Sequence, residues 1–175
     1  PAYSGEGDLS LDSEDSTGLL RMLGVAIVEE RLPAISAKSK VSFGAEGVSL
    51  SGISGTAAGG PIAGELKLAG DTLSGDISIE RMVLSQALAA VFLPWDGDKA
   101  SSESLLAAAP PFGLKGELWI KPRLLDVYPG YTVPDGQIGI TSKGQTTQFV
   151  AYGKDQTGQR LSVELQLDTS LAQRK

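Results

Sequence analysis

The sequence predicts a mainly β protein with two or three short helices, arranged as an antiparallel β-meander. The first indication is a five-residue pattern of glycine, acid, apolar, any and apolar, which occurs at residues 7–11, 64–68, 75–79 and 116–120 and, with Gln137 as the polar residue, at 136–140. Alternation with a period of two is typical of half-buried strands. The second is the short turns between such segments, because consecutive strands joined by short turns pair antiparallel.

The first part of the chain is expected to contain two strands and a short helix. A strand over 3–12 precedes a helix that Asp15 or Ser16 would cap and that Gly24 would end. The stretch from 25 to 32 is compatible with a helix extension or a loop. From residue 34 to 43 the strand pattern resumes.

The centre of the chain is expected to form hairpins. A turn at 44–47 leads to a strand in which Val48 and Leu50 are in phase but Ile53 is not. This phase change indicates a β-bulge near Gly52. Residues 59–79 then read as a hairpin whose turn is Gly70-Asp71, and these two strands share the five-residue pattern.

A second helix and a run of strands follow. Ser85 would cap the helix and Pro94 would stop it, residues 96–104 form a polar loop, and 104–109 are compatible with a third short helix. The remaining predicted elements are strands over 112–120, 137–141, 147–152 and 161–167, with a loop over 128–135 and a turn at Lys143-Gly144. The count is about nine strands.

The whole of 1–175 is interpreted as one β-rich domain or segment with an internal repeat. Aligning Gly7-Asp8 with Gly75-Asp76 superposes a strand followed by a helix, over 4–24 and 72–94. Repetition of this kind favours an extended, additive architecture. Chance similarity between two amphipathic strands is the alternative.

Composition limits the classes of function. The net charge is −6 and no basic run occurs, which argues against nucleic acid as a partner because phosphate backbones require clustered Lys and Arg. The chain contains neither Cys nor His, so thiolate chemistry and the commonest general base are absent. We therefore expect no enzyme, no catalytic residues and no cofactor.

Three groups of acidic residues are candidate sites. Asp96-Gly97-Asp98 with Glu103 departs from the spacing of an EF-hand loop, so a solvated loop is favoured over calcium and no metal site is expected. The carboxylate pairs Glu6/Asp8 and Asp76/Glu80 lie on the polar side of strands, where exposure is usual. Trp119 points away from its two apolar neighbours, so it either packs under a helix or marks a partner contact, and packing is favoured.

The chain begins at Pro1 without a start methionine, a charged n-region or an apolar h-region, so we expect a fragment of a longer protein. Its longest apolar run, residues 87–95, is shorter than the about 20 residues of a membrane span.

One family resemblance is carried by the segment TGLLRMLG at 17–24 and by the hairpins from 48 to 79, which include GGPIAGEL and LSGDISI. These residues resemble the C-terminal region of AsmA-like (AsmA/TamB-type) proteins of Gram-negative envelopes. The resemblance covers about residues 1 to 95. The remainder shares only the general pattern of strands and turns, and the motifs are degenerate.

The resemblance implies a fold and a role. It implies a curled, groove-like sheet of the β-taco type within a longer repetitive structure, located in the periplasm as part of an inner-membrane-anchored envelope protein. The implied partners are phospholipid, neighbouring segments of the same chain, and the inner membrane through an N-terminal anchor that this chain lacks. The implied activity is transport of phospholipid to the outer membrane.

Apolar side chains on one face of the strands would then contact acyl chains. Nine strands at about 4.8 Å spacing give a surface roughly 43 Å long. The candidate groove residues are Leu9, Leu11, Leu66, Leu68, Ile77, Ile79, Leu118, Ile120, Val163 and Leu165. Two alternatives remain open: the same face is an ordinary packed core, and the protein is a structural or protein-interaction β-domain of the cell envelope without a ligand.

Overall fold

A computed structural model describes residues 3–15, 34–57, 59–92 and 115–168 of the protein. These residues form ten strands and one helix. In chain order the elements are β1 Gly5–Ser13, β2 Ile35–Gly44, β3 Gly47–Ala57, β4 Gly60–Ala69, β5 Thr72–Val83, α1 Leu84–Phe92, β6 Lys115–Tyr128, β7 Tyr131–Pro134, β8 Gln137–Lys143, β9 Thr146–Lys154 and β10 Arg160–Asp168.

The strands form one open sheet in the order β1-β2-β3-β4-β5-β6-β8-β9-β10, and β7 also pairs with β6. Neighbours from β1 to β5 and from β6 to β10 are antiparallel, as predicted. The prediction is wrong between β5 and β6, which are parallel. The reason is that β6 begins beside Thr72, the first residue of β5, whereas α1 follows the last residue of β5, so both strands run in one direction.

Two local predictions in the first half are confirmed. The register of β3 shifts between Leu50 and Ile53 against β4, and Gly52 has a φ of +60°, which identifies the predicted bulge. The bulge returns Ile53 to the apolar side, where it is buried. The hairpin of β4 and β5 forms with its turn at Gly70-Asp71.

The helix predictions have different outcomes. The helix predicted around Ser85 is confirmed and begins at Leu84. The helices predicted at 15–24 and 104–109, the polar loop 96–104 and the first helix of the internal repeat lie outside the described residues. The loop predicted over 128–135 is partly wrong, because Tyr131–Pro134 forms β7 against the end of β6.

A compact core lies at one end of the apolar face. Leu84, Ala87 and Val91 of α1 pack against side chains of the second half of the sheet. The partners are Leu125 of β6, Val133 of β7, Ile138 of β8, and Phe149 and Ala151 of β9. We call these eight residues the packed region. Within the described ranges, Pro122 of β6 and Ile53 of β3 are also buried.

Candidate functional site

The ten predicted groove residues all lie on the apolar face of the sheet. Paired residues of adjacent strands place their side chains on the same face, so the register assigns each residue directly. The cross-strand partners are Ser39 for Leu9, Ala37 for Leu11, Gly75 for Leu66, Leu73 for Leu68, Gly64 and Ile120 for Ile77, Ile62 and Pro122 for Ile79, Ile140 for Leu118, Ile138 for Ile120, Ala151 for Val163 and Phe149 for Leu165.

The ten residues share a face but differ in their surroundings. Ile120 and Val163 pack against the packed region. In contrast, Leu9 is 45% exposed, Leu165 44% and Leu68 37%. The structure therefore brings these residues onto one continuous surface that is partly a core and partly open.

Residues outside the predicted set extend the open part. Phe43 pairs with Val48, and Val48 pairs with Leu68, so these three side chains form a row across β2, β3 and β4. We call the apolar-face side chains of β1 to β4 other than the buried Ile53, together with Leu73, the open face. Its larger members are Leu9, Leu11, Val41, Phe43, Val48, Leu50, Leu66, Leu68 and Leu73, all half-buried or exposed. The alternation of residues 34–50 carries the signal that identifies them.

Four glycines cross the apolar face in a diagonal line. Gly55, Gly64, Gly75 and Gly116 lie on β3, β4, β5 and β6, and each is displaced by one inward-facing position from the last. A Cβ atom at Gly116, where φ is +130°, would lie 1.7 Å from the carbonyl oxygen of Leu73. At Gly64, where φ is +154°, it would lie 2.1 Å from that of Asp76. No side chain therefore occupies this line, which we call the glycine diagonal.

A small apolar cavity lies where the glycine diagonal reaches β6. It has a volume of about 70 Å³ and is lined by Leu73, Gly116, Leu118 and Ile140 among others. It lies at the start of β5 and β6, between the open face and the strands that carry the packed region. Lys115, Glu117 and Ser142 complete the lining, but its accessible surface is nearly all apolar, which suits a hydrocarbon better than a polar group.

The opposite face of the sheet is polar, and ion pairs connect β5 with β6 across the parallel seam. Lys121 pairs with Asp76, and Arg123 donates to both carboxylate oxygens of Glu80, with Nε 2.8 Å from Oε1 and 2.9 Å from Oε2. The hydrogen bond from Arg123 holds the pKa of Glu80 below its ordinary value. At the start of β6, Lys115 Nζ lies 2.8 Å from Asp71 Oδ2, and its hydrogen bond lowers the pKa of the Asp71 carboxyl.

Trp119 lies on this polar face, whereas α1 covers the other one. The preference for packing under a helix is therefore wrong for α1, because Trp119 lies over Gly139 of the neighbouring strand, which leaves room for the ring. Its indole Nε1 donates to Glu117 Oε1 at 2.6 Å, and its ring meets Tyr152 edge to face at 6.1 Å between centroids. Aromatic packing over a strand glycine stabilises the sheet locally.

Where the structure describes them, the acidic residues of the candidate sites either form ion pairs or are exposed to solvent. Asp76 and Glu80 are occupied by Lys121 and Arg123. Glu6 and Asp8 are exposed on the edge strand β1. Among the described residues no group of three or more Asp or Glu is placed to hold a metal ion, and the Asp96 loop lies outside them.

Comparison with known protein families, with curated proteins and with solved structures gives no match. Within the part of the chain that the structure describes, no helix has the length and apolarity required to cross a membrane.

Proposed function

We propose that this protein is a non-enzymatic segment of an AsmA-like periplasmic protein, which holds or conducts phospholipid acyl chains along its apolar face. In this proposal the sheet curls into a groove and continues into neighbouring segments of a longer chain anchored in the inner membrane. The segment would contribute to outer-membrane lipid transport and biogenesis. The observation that carries the proposal is the open face, a row of large apolar side chains on a sheet whose other face is polar.

The dimensions of the open face suit an acyl chain. β4 has ten residues and therefore extends about 33 Å at 3.3 Å per residue. One leaflet of a bilayer's hydrocarbon core is about 15 Å thick, so one tail fits within the length of a strand. Each methylene group that leaves water contributes about 0.8 kcal/mol.

A second candidate function is a structural or protein-interaction β-domain of an envelope protein. The packed region favours it, because there the apolar face is covered by α1 in the manner of an ordinary globular core. The two candidates differ in what contacts Leu66 and Leu68, and experiments on these positions separate them.

Photocrosslinking tests for lipid directly. A photoreactive amino acid at position 66 or 68 points to the open face, whereas the same group at position 67 points to the polar face and is the matched control. The proposal predicts phospholipid adducts at 66 and 68 and few at 67. The protein is purified from a Gram-negative host. If positions 66 and 68 give no phospholipid adduct and native mass spectra show no bound lipid, the proposal is wrong and the second candidate is favoured.

A charge placed on the same face distinguishes a groove from a core. Ile77→Arg should remain folded, because the long side chain can lie along the apolar surface with its guanidinium in water, and it should reduce crosslinking at 66. Ile138→Arg is the matched control at a fully buried position, where an unpaired charge costs several kcal/mol. Circular dichroism melting reports both variants, and an unfolded Ile77→Arg protein would contradict the groove.

A further inference from the structure

Two cations face each other on the last hairpin of the sheet. Lys154 of β9 and Arg160 of β10 are directly opposite in the register, on the polar face. Like charges at such positions are destabilising. Neither side chain forms an ion pair with a carboxylate among the described residues. This differs from Lys115, Lys121 and Arg123, which are each paired.

The adjacent carboxylate, Asp155, keeps its charge but is held in its own loop and forms no ion pair with either cation. Asp155 Oδ1 accepts hydrogen bonds from Thr157 N at 2.8 Å, Thr157 Oγ1 at 2.7 Å and Gln159 N at 2.9 Å. Its other oxygen accepts from the Tyr131 hydroxyl at 3.3 Å. The hydrogen bond from the Thr157 hydroxyl contributes most to the lowered pKa of Asp155. The carboxylate therefore stabilises the β9–β10 loop.

The two cations line a depression of about 590 Å³ that also presents hydrogen-bond donors. Gln137 accepts the Tyr152 hydroxyl on its Oε1 at 3.0 Å, which leaves its amide hydrogens for another acceptor. The Ser162 hydroxyl is on the same wall. Asp135 is the one acidic residue in the lining, and its charge interacts with Arg123 in the neighbouring depression.

We propose that this depression binds a phosphate group. A phosphate monoester carries a charge of about −1.5 to −2 at neutral pH, which matches two adjacent cations better than a single carboxylate does. Arg160 can bind two phosphate oxygens with its planar guanidinium, while Lys154 supplies a point charge. The bound anion would also remove the repulsion between the two side chains. This site is on the face opposite the open face and does not depend on the proposed lipid function.

Thermal unfolding in inorganic phosphate tests the site. At equal ionic strength, phosphate should raise the Tm more than chloride does, because a ligand that binds only the folded state stabilises it. The double variant Lys154→Gln/Arg160→Gln should lose most of this phosphate-specific rise. Without phosphate its Tm should be equal to or higher than that of the wild type, since the repulsion is gone. The matched control is Lys38→Gln/Lys40→Gln, which removes two cations from the polar side of β2 and should keep the full rise.

Each outcome decides the proposal. Equal Tm values in phosphate and chloride would overturn it, as would the same loss in the control variant or an equal rise with succinate. Cosedimentation with vesicles that contain phosphatidic acid, whose headgroup is a phosphate monoester, but not with phosphatidylcholine vesicles, lost in the Lys154/Arg160 variant, would place the phosphate on a lipid headgroup. A phosphate-specific rise without vesicle binding would support the site with a soluble phosphate compound as its ligand.

Discussion

Phe149 and Phe43 lie on the same face of one sheet, yet Phe149 is 0% exposed and Phe43 is 48% exposed. Both sit in strands with the same alternation of apolar and polar residues. The difference arises because α1, together with residues of β6 and β7, packs against β8 and β9. Alternation therefore specifies which face is apolar, and the elements that lie over that face specify whether it becomes a core.

The largest expected effect compares these two phenylalanines. Phe149→Ala should lower the free energy of unfolding by about 3–5 kcal/mol, because it removes a fully buried ring and leaves a cavity. Phe43→Ala removes a half-exposed ring and should cost less than about 1 kcal/mol. Urea denaturation of both variants measures the difference. Equal losses would show that the open face is covered in solution.

A substitution in the helix tests what makes the packed region different. Leu84→Ala should cost about 2–5 kcal/mol, since Leu84 is buried against the sheet. Amide hydrogen exchange should accelerate in β6 more than in β2 and β3, because the helix contacts β5 and β6. Uniform acceleration through the sheet would mean that the two regions unfold together, so that they differ in burial but not in local stability.

A glycine substitution tests the glycine diagonal between the two regions. Gly116→Ala should lower stability by about 1–3 kcal/mol, since its φ of +130° and the adjacent Leu73 carbonyl exclude a methyl group. Gly7→Ala is the control, because its nearest side-chain atom, Val41 Cγ1, would be 3.8 Å away. A further variant, Gly75→Val, should lower the Tm because its Cβ would lie 2.4 Å from the Glu65 carbonyl oxygen. Unchanged melting of both Gly116→Ala and Gly75→Val would remove any special role for the diagonal.

The smallest expected effect is a dependence on pH at the β5–β6 seam. The pKa of Glu80 is lowered from its ordinary value of 4.5 by Arg123, so its contribution to stability is present above that pH and is lost as the pH falls through the lowered value. Glu80→Gln should therefore flatten the fall of Tm in acid. Glu6→Gln, which removes an exposed carboxylate on the edge strand β1, away from the seam, is the control.

Much of the sheet was predictable because its strands are half-buried and alternate cleanly. The bulge at Gly52 was predictable as well, because the phase change at Ile53 is visible in the sequence. The second half of β6 was not. Pro122 and Leu125 are both buried although they are three residues apart, so alternation breaks where the strand continues. Across from them Asp135 has a φ of +49° and its N–H donates to the Arg123 carbonyl at 2.9 Å, which no periodicity reveals.

The sequence predicts the face of the sheet on which the candidate groove residues lie, but not which part of that face other elements cover. Every predicted groove residue is on the apolar face, since side-chain direction follows from strand register. The division into an open face and a packed region was not predictable, because Val91 and Phe149 are distant in sequence and meet only through the crossover. The opposition of Lys154 and Arg160 likewise requires the register of β9 and β10.

The parallel pairing of β5 and β6 also bears on how the chain folds. Each hairpin from β2 to β5, and each from β6 to β10, pairs residues that are close in sequence. The ion pair of Arg123 with Glu80, by contrast, joins residues 43 positions apart. Contacts that close long loops carry the larger entropic cost and form later. We therefore expect two hairpin arrays to form early and the pairing of β5 with β6 to complete the native sheet. Substitutions that break the Glu80–Arg123 ion pair across the seam should then have low φ-values in folding kinetics.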